Sequence, residues 1–245
     1  MTEEPYRWLE AMENRREYIR EQLKPASPVF AISLSEGILL LGVGNAGGGG
    51  KVFEIFDRHG MAALGHAADI ERVRQGLIDA AHLESFTRAP EDVSLRRLVS
   101  YGLSTRMKDQ FEQIYSAPLL VECLIAEVGR SADEDLLARV SFDGSFSFQK
   151  SGACVAASSA AYEKACAAWM AAKMEPSPPL DQARALLLAA WALADSAEPP
   201  GTDAFEASLT GRAWAPKLAG KALESALLSR DPGRAASYHA LSPEI

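Results

Sequence analysis

Apolar residues along the chain follow first a two-residue and then a three-to-four-residue period. Pro28 to Ser35 alternates apolar positions with small or polar ones, the pattern of a half-buried strand, and Ser35-Glu36-Gly37 turns the chain into a more continuously apolar strand, Ile38 to Val43. These two predict a hairpin. Beyond the glycine-rich Asn45 to Gly50 segment, which reads as a flexible hairpin connection, Val52 to Phe56 and Gly60 to Leu64 predict two further strands joined around Asp57-Arg58-His59. The period then lengthens. Ala68 to Ser85 carries Ile70, Val73, Leu77, Ile78 and Ala81 at helical spacing, and Val93 to Tyr115 repeats this with Leu95, Leu98, Val99, Leu103, Met107, Phe111 and Ile114.

Strand patterns return at Leu119 to Val128, Leu136 to Phe142, Ser145 to Phe148 after the Asp143-Gly144 turn, and Ala153 to Ala157. Two helices follow, Ser159 to Met174 and Leu180 to Ala194, separated by Pro176-Ser177-Pro178-Pro179, which cannot continue a helix. Phe205 to Leu209 and Arg212 to Lys217 read as short strands, and Ala219 to Leu228 as a last helix. Ahead of all these, Tyr6 to Lys24 is a polar leading helix that stops at Pro25. Strand blocks alternating with helix pairs predict an α+β fold: a four-layer αββα sandwich of two antiparallel sheets flanked by helices, with an extra N-terminal helix. One domain is expected over 1–245, with the leading helix and a possible gate at 1–24, the sandwich at 27–230 and a flexible tail at 231–245.

Composition narrows the functions this fold can serve. With 245 residues, 48% hydrophobic, the chain is long enough to bury one substantial core, and a net charge of -8 argues against a nucleic-acid partner. It has no apolar run of the roughly 18 to 20 residues that a membrane span needs, and its acidic start lacks a signal core, so a cytoplasmic home and no membrane partner are expected. Cys123, Cys154 and Cys166 form no metal-spaced cluster and read as buried thiols; His59, His82 and His239 lack ligand spacing. No metal or other cofactor is expected. Gly47 to Gly50 lacks the GK[ST] ending of a phosphate loop. Arg15-Arg16 and Arg96-Arg97 read as isolated pairs on helix faces, and the four tryptophans as packing or interface residues.

Four segments, in order and spacing, carry a resemblance. They are Ala11-Met12-Glu13-Asn14-Arg15-Arg16-Glu17-Tyr18 with Arg20, Gly37-Ile38-Leu39-Leu40, Lys51-Val52-Phe53-Glu54-Ile55-Phe56-Asp57-Arg58, and Val140 to Gly144 with its Phe142-Asp143-Gly144 turn. Over nearly its whole length the chain resembles proteasome subunits, specifically the α subunits of bacterial 20S-type particles. Catalytic β subunits of that family begin their first strand with a freed threonine. Here the first strand opens at Ser27-Pro28-Val29, with Thr2 roughly 25 residues upstream across a helix, and Gly42-Val43-Gly44-Asn45 offers no carboxylate at the strand end. No catalytic residue is expected, the alternative being a divergent N-terminal nucleophile peptidase or amidase of the same fold. An adaptor using the fold alone is a third reading.

The resemblance gives Lys51 a different task. It implies a noncatalytic subunit that forms a homomeric, seven-membered ring, assembles with proteasome β subunits, restricts entry of unfolded protein and docks a ring ATPase or other activator in ATP-coupled degradation. Lys51 then lines the activator-docking pocket between neighbouring subunits and pairs with the carboxylate of an inserted tail, with a neighbour's Glu17 orienting it and the backbone of Gly65 and His66 beside the tail. The resemblance places a pore gate before the leading helix, here Thr2, Glu3, Glu4 and Pro5. Without the resemblance, Lys51 is a solvated lysine at a strand end and Glu17 one of many exposed helix charges. The leading helix has no sandwich core of its own to complete, which suits packing across a subunit boundary.

Overall fold

The computed structural model describes residues 4–150, 152–174, 177–231 and 236–243. A helix, α1 (Glu4–Leu23), leads into the hairpin β1 (Val29–Leu34) and β2 (Gly37–Asn45), and then into β3 (Val52–Phe56) and β4 (His59–Gly65). After α2 (Ala67–Thr87) comes one continuous helical stretch, made of α3 (Leu95–Arg97), a π-helical segment Leu98–Leu103 and α4 (Ser104–Glu112). The strands β5 (Val121–Glu127), β6 (Leu136–Val140), β7 (Phe146–Lys150) and β8 (Ala153–Ala156) precede the helices α5 (Ala160–Ala171), α6 (Leu180–Trp191), α7 (Thr202–Thr210) and α8 (Trp214–Lys217). Two strands close the order, β9 (Lys221–Ser229) and β10 (Tyr238–Ala240).

The strands form two antiparallel five-stranded sheets, β10-β9-β2-β1-β8 and β3-β4-β5-β6-β7. Alternation along each strand sorts its residues between two cores. Val29, Ala31, Ile38 and Leu40 face the second sheet, where Ala62, Leu64, Leu124 and Ala126 meet them. Their neighbours Phe30, Ile32, Leu39 and Leu41 point outward under Trp169, Leu187 and Phe205 of the helices. On the far side, Met61, Ala63 and Ile125 pack under Ile70, Leu77, Leu98 and Met107. The result is the expected four-layer αββα sandwich. β1 is buried along its whole length, not half-buried, because helices cover its outer face as the second sheet covers its inner one. Its polar Ser33 is satisfied there by the fully buried Asp135, 2.5 Å away, which also forms a bidentate pair with Arg230 at 2.9 Å.

Several expectations change. Asn45 to Gly50 is no hairpin connection: it carries the chain from the first sheet to the second, since β2 and β3 belong to different sheets. The region from Phe205 to Lys217 is helical: Phe205 of α7 stacks on Trp169 with ring centroids 4.8 Å apart, and Ser208 donates to the Ala189 carbonyl. Residues 219–228, full of helix formers, instead supply β9, paired with β2 over its entire length; sheet pairing with burial of Ala226, Leu227 and Leu228 overrides local propensity. The helix expected over residues 93–115 runs from Leu95 to Glu112, with a π-helical segment at Leu98–Leu103 within it. In the last stretch, Tyr238–Ala240 pairs with β9 as an edge strand.

The leading helix also does more than present a polar face. Its Met12, Ile19 and Leu23 are buried in the core between the sheets, closing one end of the sandwich. Arg15 donates to the carbonyls of Gln110, in the last turn of α4, and of Ile114 and Ser116 beyond it, while Arg16 reaches Asp143 and lies over the Phe111 ring. That pair is therefore not isolated on a helix face. Among the described residues, no helix is long and apolar enough to cross a membrane.

Candidate functional site

Lys51 stands immediately before β3, where the crossover from β2 arrives, and its side chain runs back across the end of β2. The glycines there make the room. A Cβ on Gly42 would stand 3.0 Å from Lys51 Cβ and 3.1 Å from Val29 Cγ1, and one on Gly44 would sit 3.6 Å from Lys51 Cε. The lysine stem thus occupies space that β2 side chains would otherwise fill. Only 9% of the residue is exposed, so the expectation of a solvated strand-end lysine is wrong. Its Nζ donates to the Ser27 carbonyl at 3.3 Å. Burial pulls the ammonium down from the ordinary lysine value of 10.5 to about 8, against the opposing pull of nearby Glu224.

The amine borders a cavity of about 340 Å³ at the end of the sandwich, lined also by Ser27, Gly65, Trp191, Asp195 and Lys221. Each comes from a different place: the start of β1, the end of β4, the end of α6 and the stretch beyond it, and the start of β9. Gly65 has φ +126, and a Cβ there would fall 2.0 Å from the Leu120 carbonyl oxygen, so the chain can turn into α2 at this point only with glycine. His66 follows as the N-cap of α2: its Nδ1 accepts from Ala68 N at 3.3 Å, and its own N–H donates to the Leu120 carbonyl. Its ring is exposed and outside the cavity lining.

The structure brings Lys51 and Gly65 to one cavity, with His66 next along the chain, but it does not bring Glu17 there. Glu17 is exposed on α1 and lines a separate cavity with Arg16, Arg20 and Asp143. Thr2 and Glu3 lie outside the described residues, and the backbone of Glu4 and Pro5 opens α1. Two participants were not anticipated from sequence. Glu224 Oε2 accepts from Lys51 N at 2.7 Å and Val52 N at 3.1 Å, and Trp191 Nε1 donates to Ser27 Oγ at 2.8 Å. Of the other tryptophans, Trp169 and Trp214 are buried packing residues and Trp8 is half-exposed.

Chemically, the site is a buried ammonium, held at a lowered pKa of about 8, at the wall of an open cavity. Ser27, at the start of β1, has its backbone nitrogen in a peptide bond with Ala26, its hydroxyl held by an indole, and its carbonyl rather than its hydroxyl next to the lysine. Among the described residues, no group of three or more His, Cys, Asp or Glu is placed to hold a metal ion.

Comparison with known proteins identifies the family of the fold. A family model described as proteasome subunit matches residues 33–202, which include Lys51, Gly65 and His66. Proteins named proteasome subunit alpha are similar in sequence: that of Actinosynnema mirum is 34% identical over 134 residues, 55% of this chain and 50% of the relative. That of Streptosporangium roseum is 33% identical over 137 residues, 55% and 51% of the two chains, and that of Arthrobacter sp. strain FB24 is 33% identical over 140 residues, 57% and 58%. The chain spans about half the length of the curated relatives it matches. With the two-sheet sandwich, its helical layers and a family match over most of its length, the chain belongs to the proteasome subunit family.

Proposed function

We propose that this chain is a noncatalytic α-type subunit of a 20S-like proteasome. Copies of it form a homomeric, seven-membered outer ring that stacks on β subunits and restricts the entry of unfolded protein. An activator, such as a ring ATPase, inserts a carboxylate-bearing tail beside Lys51. The observation that carries this reading is the buried Lys51 amine facing an open cavity, beside a β1 start whose serine hydroxyl is engaged by Trp191 and whose nitrogen lies within the chain. A cation so placed, with Lys221 also on the cavity wall, suits the capture of a carboxylate better than the activation of a nucleophile, which needs a free hydroxyl or amine next to a base. The similarity to proteins named proteasome subunit alpha supports the same choice.

Glu17 serves Lys51 in this arrangement only from a neighbouring copy, because on its own chain it lies on another cavity. The gate falls to residues 2–5, of which Thr2 and Glu3 come before α1 and Glu4 and Pro5 open it. The test is electron microscopy of the purified chain mixed with its cognate β subunit, followed by peptidase assays on the particle. Rings stacked on β, with Lys51→Ala lowering activator stimulation but sparing small-peptide cleavage, are the expected outcome. A stable monomer indifferent to β, equal loss of both activities, or a processed N-terminus labelled by a nucleophile-directed probe would count against it.

A further inference from the structure

We infer that Glu224 is the positioning residue of the Lys51 site, pinning the start of β3 through two backbone N–H groups and balancing the ammonium so that the cavity presents a fixed cation to an incoming carboxylate. The inference rests on the docking role proposed for Lys51. It follows from three features of the geometry. Glu224 is the cross-strand partner of Gly42, the residue whose missing side chain makes room for the lysine stem. One carboxylate oxygen accepts from both Lys51 N and Val52 N, at 2.7 and 3.1 Å, which ties strand β9 of the first sheet to the edge strand β3 of the second. Lys51 N is also the point where the glycine-rich crossover ends, so without that tether nothing on its N-terminal side would fix the lysine: the four preceding residues are glycines.

The electrostatics run the same way. Glu224 is the group that holds the Lys51 charge up against burial, whereas Asp195, also on the cavity wall, makes no such contribution. The same carboxylate oxygen is held in place by its two N–H bonds, so the counter-charge it offers the lysine is fixed in position.

Glu224→Gln keeps an oxygen acceptor for both N–H groups and removes the charge; Glu224→Ala removes both. The Lys51 side chain is titrated by NMR of the full chain carrying labelled lysine, assigned with Lys51→Arg, while binding of a fluorescent peptide with a free C-terminal carboxylate is followed against pH. In Glu224→Gln, the Lys51 midpoint and the alkaline limb of peptide binding should both move down by about one pH unit, a tenfold change in the deprotonation constant. Glu224→Ala should bind the peptide at least about tenfold more weakly at every pH, including below the midpoint, with its fold checked by thermal melting. A Lys51 midpoint unchanged in Glu224→Gln overturns the inference, as does Glu224→Ala binding like the parent. The lysine titration decides even if the parent chain fails to bind the peptide, a result that would sink the docking role alone.

Discussion

Replacing Lys51 with methionine should make the folded chain more stable at neutral pH. The unfolded chain keeps the lysine proton up to the ordinary value of 10.5, whereas the folded chain releases it at about 8. Between those values the unfolded state binds more protons, so stability rises as pH rises through this window, and below about 8 the folded state carries the whole cost of a buried ammonium. At ~1.4 kcal/mol per pH unit that cost is roughly 3 kcal/mol. Methionine fills similar volume along Gly42 and Gly44 but loses the bond to the Ser27 carbonyl, worth about 1 kcal/mol, which leaves a net gain of about 2 kcal/mol at pH 7. Urea unfolding of both chains, at one protein concentration and at steps from pH 6.5 to 10.5, measures the difference. It should shrink steadily above pH 8 and disappear or reverse near 10.5. A variant less stable at pH 7, or a difference that ignores pH, would show that the lysine is not held at a cost and would remove the physical ground for assigning it a function.

Gly65→Ala should destabilise the fold by more than about 3 kcal/mol, because it combines a left-handed φ with a Cβ on the Leu120 carbonyl; thermal melting well below the parent temperature checks it, and a near-parental melt contradicts it. Arg15→Ala should leave the sandwich folded but loosen α1, at about 1.5 to 3 kcal/mol, since three carbonyls at and beyond the end of α4 lose their donor; limited proteolysis should then cut first between α1 and β1. Burial lifts Glu122 to about 7, with Arg139 opposing, so the folded chain holds its proton where the unfolded one has lost it. Stability therefore falls as pH rises from about 4.5 to 7, and Glu122→Gln should remove up to about 3 kcal/mol of that fall in denaturation curves.

How much of this was legible depends on how local each signal is. The eight strands from β1 to β8 and the helices α2, α5 and α6 could be placed from period and turn residues, because all but the largely exposed edge strand β7 bury their apolar positions as the pattern requires. Lys51 and Gly65 could be singled out as a pair, fourteen residues apart on neighbouring strands. That the lysine is buried was not legible: it follows from the bare glycines of β2, and a glycine looks the same in sequence whether it frees a turn or clears space for a neighbour. Glu224 was hidden twice. It lies in a stretch of alanine, leucine, glutamate and lysine that favours helix in isolation, and its contact with Lys51 spans 173 residues. The role of α1 was misjudged for a related reason, since the three carbonyls that receive Arg15 lie about a hundred residues further along and carry no residue-type signature.

A cation kept buried at a cost to stability should welcome an anion, and this can be measured without knowing the activator. Near pH 8.5 an amine with a midpoint of about 8 is only about one-quarter protonated. A carboxylate entering the cavity favours the charged form, so binding must draw a proton from the buffer, up to about 0.75 per site. Calorimetry of a carboxylate-ended peptide at pH 8.5, repeated in buffers with different ionisation enthalpies, reads that uptake directly. At pH 6.5, where Lys51 is already charged, the heat should hardly depend on the buffer. The amide-ended peptide should show neither uptake nor comparable affinity, because an uncharged end gives the lysine no reason to regain its proton. Binding with the same buffer-independent heat at both pH values would mean that the peptide sits elsewhere and that the amine at the end of β2 is not its receptor.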